Sequence, residues 1–185
     1  MIEVFQNEYV RLGSRAYFLL LSLLLFARGM DFLSTWIATP NMVLEGNPVM
    51  RRLGWRWGIP INLAMCFLLA AWSVPAIVLI TTSVLVAARN FQSAWLMRTL
   101  GEHFYRDWHI ERIQETRPSL YLFCLLGQTG LIALVGLGVM YFSDNLLVPT
   151  AIGMGVIAYA VAVTLFTLLA VWRLRRTARF YSQEN

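Results

Sequence analysis

Arg28 and Asp31 stand three residues apart inside an apolar run, AYFLLLSLLLFARGMDFLSTWIA, that extends from Ala16 to about Ala38. Residues at that spacing share one face of a helix, so guanidinium and carboxylate can pair. Ser34 and Thr35 lengthen the polar stripe by a further turn. A charge at the middle of a bilayer costs roughly 2.5–3.5 kcal/mol on insertion scales, which marks intramembrane ionisable groups as candidates for ion, proton or headgroup binding. An architectural salt bridge fits the same pair, with loss of one partner leaving a buried charge uncompensated. Glu45 and Asn47 follow in the segment TPNMVLEGNP, which Pro40, Gly46 and Pro48 keep from being a regular helix. Irregular backbone beside a membrane is tolerated where it lines a cavity. Glu45 and Asn47 then stand over the mouth of a cavity built on Arg28 and Asp31; otherwise the segment is a surface turn in which Asn47 makes local backbone bonds.

Other chemistry finds less support. His103 and His109, with Glu102, Asp107 and Glu111, offer metal-ligand types, but not the close His pair or CxxC units of a closed zinc site. A solvated helix face accounts for them, and no metal or cofactor is expected. No GxSxG elbow and no glycine-rich phosphate loop occurs, so no catalytic residue is assigned. Cys66 and Cys124 both fall in apolar runs and are read as free, buried thiols.

The elements that must carry these residues are membrane helices. Of 185 residues, 58% are hydrophobic and 14% charged, against about 25% charged in soluble domains. The net charge of +5 comes from arginine alone, with no lysine. These arginines cluster at helix ends, as topology signals do, and no nucleic-acid partner is expected. Four runs are long enough to cross a ~30 Å hydrocarbon core: about 16–38, 59–88, 120–142 and 147–172. The first could be a secretory signal, but no clean small-x-small cleavage site follows it, so we read it as a retained span. The second contains Pro75 and reads as one long, kinked helix. Only Ser143 to Leu146 separates the last two, which must form an antiparallel hairpin. The segment 89–118 places Arg98, Glu102 and Arg106 four residues apart and reads as a cytoplasmic amphipathic helix, broken near Gly101 and ended by Pro118. With the N-terminus inside, eleven arginines lie inside and three outside, predicting cytoplasmic N- and C-termini. Trp55, Trp57 and Tyr141 then mark the outer interface and Trp172 the inner one. The fold class is an all-α polytopic membrane bundle of about four transmembrane helices, forming a single domain over 1–185.

Small residues suggest how the helices approach one another. Gly127 and Gly130 in the third run, and Ala151, Gly155, Ala158 and Ala162 in the fourth, read as helix-packing positions. Gln128 is expected to bond across to another helix, at about 0.6–2 kcal/mol.

Asp31-x-x-Ser34-Thr35, followed by Glu45-x-Asn47-Pro48 and an apolar helix, resembles a widespread prokaryotic family of small membrane proteins classed as a domain of unknown function. The resemblance covers roughly residues 16–90. It implies that Asp31, Glu45 and Asn47 belong together, in a prokaryotic cytoplasmic (inner) membrane, and it implies no activity. The family often carries a basic residue in its second helix, where this chain has Asn62, Thr81, Thr82 and Ser83.

Three functions fit. The leading expectation is a non-enzymatic accessory or assembly subunit of a homo-oligomer or larger membrane complex, given the small-residue faces, the aromatics and the lack of a catalytic motif. The alternative is a transporter or an ion-, proton- or lipid-binding protein using Arg28, Asp31, Glu45 and Asn47. The third is an intramembrane enzyme acting on lipid, with Glu45 or Asp31 as acid/base. Asp31 and Glu45 must face a wet cavity in the last two, whereas a packing subunit seals Arg28–Asp31 between helices.

Overall fold

A computed structural model describes residues 8–181, with side chains as far as Trp172. Among the described residues the chain forms six helices: α1 (Arg15–Ala38), α2 (Pro48–Leu69), α3 (Ser73–Leu100), α4 (Glu102–Glu115), α5 (Pro118–Tyr141) and α6 (Leu147–Tyr181). Four of them, α1, α3, α5 and α6 as far as Trp172, are long and apolar enough to cross a membrane.

Local chemistry sets the boundaries. Ser14 caps α1, its Oγ accepting from Tyr17 N at 3.2 Å. Thr39 ends that helix and Pro40 follows. Asn47 caps α2 by accepting from Val49 N at 2.9 Å, with Pro48 in the first helical position. Of the two readings of Asn47, this local backbone bond is present. Gly54, at φ 63°, interrupts α2 after its first turns. Asp144 and Asn145 adopt left-handed backbone in the α5–α6 turn, as short polar side chains tolerate.

The expected single helix over 59–88 is two helices. Pro75 lies in the first turn of α3, where a missing N–H is harmless. In a continuous helix Ala71 O would need that N–H; instead it accepts from Val10 N at 2.8 Å. Ser73 N donates to Glu8 O at 2.9 Å, so the N-terminal segment pairs with the 70–72 turn, Tyr9 opposite Trp72. The segment 89–118 is also divided differently: α3 continues to Leu100, and only α4 is separate. Gly101, at φ 81°, makes the break and prevents Arg98, Glu102 and Arg106 from forming one stripe.

Contacts fix helix direction. Arg28 meets Ser83, and Ser34 and Thr35 meet Asn90, so α1 and α3 run parallel. Between them α2 returns, Tyr17 OH donating to Phe67 O and Arg28 meeting Asn62. In α6, Ala151 packs in the core with Val10, Ala71 and Ala76, and Thr82 Oγ1 donates to Gly155 O at 3.1 Å, so α6 runs parallel to α3. Its partner α5 is antiparallel, with Gly136 against Gly153 and Thr164 Oγ1 donating to Thr129 Oγ1 at 3.0 Å.

The chain therefore traverses the bundle five times. One end, the N-terminal end, holds residues 8–14, the 70–72 turn and the 142–146 turn. The other, the α4 end, holds residues 39–47, α4 and Trp172. Residues 8 and 172 thus lie at opposite ends of the bundle, where four spans would have put them at the same end, because α2 makes an extra traverse. Trp55, Trp57 and Trp172 share the α4 end, and Tyr141 lies at the other. The main core sits towards the N-terminal end, where Leu20, Leu24, Cys66 and Ala76 are fully enclosed.

Small residues pack in part as expected. A Cβ on Gly136 would come within 2.9 Å of Gly153 O, and one on Gly155 within 2.6 Å of Thr81 Cβ. Ala151 is buried, Ala158 half-buried, and Ala162 faces a cleft described below. Gly127 and Gly130, by contrast, meet nothing within 4 Å and pack against no helix of this chain. Gln128 is exposed on the same outward side and bonds to no other helix among the described residues; the inter-helix hydroxyl bond is made by its neighbour Thr129. Cys66 is buried as expected, but Cys124 is exposed on α5; both are free thiols.

Candidate functional site

Towards the α4 end the helices separate around an open cleft of roughly 1600 Å³. Arg28, Asp31 and Thr35 reach it from α1, Glu45 and Asn47 from the following loop, and Arg51 and Trp55 from α2. Arg89 and Asn90 come from α3, and α4 and α6 complete the walls. Six residues singled out by sequence thus fall in one region, five lining the cleft. Ser34 is the exception: fully buried, it donates to Asp31 O at 2.8 Å and accepts from Asn90 Nδ2 at 3.3 Å.

Arg28 is held on several sides. Its Nη1 lies 2.6 Å from Asp31 Oδ2 and 3.1 Å from Ser83 Oγ, and Nη2 donates to Asn62 Oδ1. Asn62 is in turn fixed by donating to Gly58 O at 2.8 Å. The guanidinium stands 5.3 Å from the centre of the Phe32 ring, a cation–π arrangement. Only Nε is buried without a hydrogen-bond partner. The charge is thereby distributed over three helices, and the second- and third-helix residues facing it are neutral acceptors.

Above this group, Glu45 Oε1 accepts from Asn47 N at 2.7 Å. Burial pushes the Glu45 carboxyl above its ordinary range, and the nearby Asp31 charge adds to this; the Asn47 N–H and Arg51 oppose it. The roof is α4, on which His109 stacks on Tyr105 at 5.8 Å between ring centres. Burial lowers the His109 pKa and raises that of Tyr105.

Sequence reasoning missed the role of Glu102. This nearly buried carboxylate accepts from Asn41 N at 2.9 Å, Asn41 Nδ2 at 3.3 Å, Thr39 Oγ1 at 3.1 Å and Val43 N at 3.3 Å. It fastens the start of α4 to the loop that carries Glu45. A carboxylate directly after Gly101, at a helix start, was the local signal; its partners lie about sixty positions earlier and left none. Among the described residues, no three His, Cys, Asp or Glu side chains gather as a metal ion requires.

Compared with family models, with characterised proteins and with solved structures, this chain shows no match.

Proposed function

We propose that this protein is a membrane-embedded binding or transport protein that takes a small polar or amphiphilic molecule into the cleft at its α4 end. The observation supporting this reading over a sealed packing subunit is that Asp31 and Glu45 line the same open cleft as Arg28, Thr35 and Asn47. Arg28, tied to Asp31, Ser83 and Asn62, holds a locally neutral ion pair in the cleft wall that offers polar contacts to a ligand, and Glu45 serves as a proton site beside it.

In our reading the α4 end faces the cytoplasm of a prokaryotic inner membrane. Arg51, Arg52, Arg56, Arg89, Arg98, Arg106, Arg112 and Arg117 belong to that end, against Arg11 and Arg15 at the other. Positive charge favours the cytoplasmic side, so the N-terminus is external instead of cytoplasmic and the loop after α1 moves to the cytoplasm, while segment 89–118 keeps the cytoplasmic side drawn from four spans. Arg173, Arg175, Arg176 and Arg179, counted for the inside, lie outside the residues with described side chains; in sequence they follow Trp172 at the α4 end.

Thiol labelling tests the cleft. In a Cys66→Ala, Cys124→Ala background, Thr35→Cys should react with a membrane-impermeant maleimide applied from the α4 side. Thr129→Cys, enclosed between α5 and α6, should not. Equal protection of both would restore the sealed-bundle reading.

A second reading, assembly as a homo-oligomer or within a larger complex, draws on α5. Gln128 with Gly127 and Gly130 forms an uncovered polar and small patch among exposed Leu126, Leu131 and Leu134, a combination that joins helices in lipid. A monomeric mass in mild detergent, with no co-purifying protein, would remove it.

A further inference from the structure

The cleft carries more positive charge than its own carboxylates balance. Arg28 is paired with Asp31, and Arg106 lies 3.0 Å from Asp107. Arg51 and Arg89 also line the cleft, and among the described residues neither forms an ion pair or hydrogen bond through its side chain, although Arg51 stands near enough to Glu45 for its charge to act on that carboxyl. Arg89 is the more telling. It is half-buried and lies sixteen residues after Ser73 in a membrane-length helix. That is about 24 Å along the helix, towards the end of its apolar stretch at the α4 end. A half-buried arginine with no carboxylate beside it is relieved of its uncompensated charge by a bound anion. The α6 wall is largely apolar, with Val163, Phe166 and Val171, and α4 adds Ile110 beside its polar Arg106, His109 and Gln114. Cationic groups at headgroup depth thus face a surface suited to hydrocarbon.

We propose that the cleft holds a lipid with a net anionic phosphate headgroup, the phosphate between Arg89 and Arg51 and an acyl chain along the α4–α6 wall. The planar guanidinium fork matches phosphate oxygens in a bidentate manner. Asp31 does not oppose the anion, because its charge is matched by Arg28. Glu45 is turned to Asn47 N. The inference rests on the cleft being a ligand site, and it narrows the ligand to one class.

The test uses the full chain in a neutral detergent, read by native mass spectrometry. Phosphatidylglycerol and phosphatidylcholine with the same acyl chains are added separately, with inorganic phosphate as a third arm. Phosphatidylglycerol should be retained about tenfold or more better than phosphatidylcholine, as expected for two arginines at an anionic headgroup. Arg89→Gln should abolish the preference, the exposed Arg51→Gln should reduce it, and Arg52→Gln, outside the cleft, should keep it. Should Arg89→Gln fail to fold, Arg51→Gln against Arg52→Gln decides the matter. Equal retention of the two lipids, a preference that survives the cleft substitutions, or equal competition by inorganic phosphate overturns the proposal. The two readings fail separately. If both lipids shield Thr35→Cys from maleimide equally, the cleft is a ligand site without anionic selectivity. If Thr35→Cys is unreactive even without lipid, the site itself is refuted.

Discussion

Glu45 is a carboxyl whose surroundings favour its protonated form. Its pKa is raised by burial, so the folded state holds the proton more tightly than the unfolded chain. Stability is then fullest at and below the ordinary glutamate range and falls as pH rises through the higher folded value. Glu45→Gln should remove that dependence and raise the melting temperature at neutral pH, as thermal unfolding in detergent at several pH values would reveal. Glu102 is the contrasting case, an acceptor for four donors. Glu102→Ala should cost about 2–3 kcal/mol, since it strands partly buried donors and removes charge-assisted bonds; an unchanged melting temperature would contradict this. The Arg28–Asp31 pair was legible in sequence because its spacing is local. Asn62 and Ser83, which complete the shell around Arg28, come from 34 and 55 positions away, and no local pattern announced them.

The helices divide into those that composition identifies and one that it does not. α1 and α5 match apolar runs to within two residues, and α6 starts where its run does but continues past Trp172 to Tyr181, because a cap, a proline or a tight turn marks the other boundaries and none stops α6. α2 was merged with α3, since arginines occupy its first half and Pro75 invited a kink. The deciding partner, Val10 on Ala71 O, is about sixty positions away. Glycines show the same limit: spacing identified Gly127 and Gly130 as well as Gly155, yet only Gly155 meets another helix. Gly153→Ala would set a Cβ 2.7 Å from Gly136 O, a backbone atom that cannot step aside. It should part α5 from α6 and destabilise by about 1–3 kcal/mol. Gly127→Ala, with open space around it, should be neutral or slightly stabilising by helix propensity. Unfolding of the two variants side by side separates a packed glycine from an uncovered one.

For the molecule as a whole, counting traverses matters more than counting apolar runs. Fold class was readable from composition, but one unrecognised traverse reversed the relation of the two ends. Five traverses place eight arginines at the α4 end against two at the other among residues with described side chains, about the same one-sidedness as the eleven against three of the four-span arrangement. A fluorescent protein that matures only in the cytoplasm should light up when fused after residue 185 and stay dark when fused before residue 1; the opposite result would invert the proposed orientation.

The weak apolarity of α2 also bears on biogenesis. Its apolar half, from Ile59 to Leu69, has only 11 residues, about 16 Å of helix, too little to partition alone into a bilayer. The translocon must then either retain α1 until α3 emerges from the ribosome or let α2 wait at the surface and enter late, drawn by Arg28 and Asn62. A released chain truncated after residue 69 should leave α2 accessible from the α4 side, whereas one extended through α3 should protect it. Protection already present in the shorter chain would mean that α2 inserts unaided.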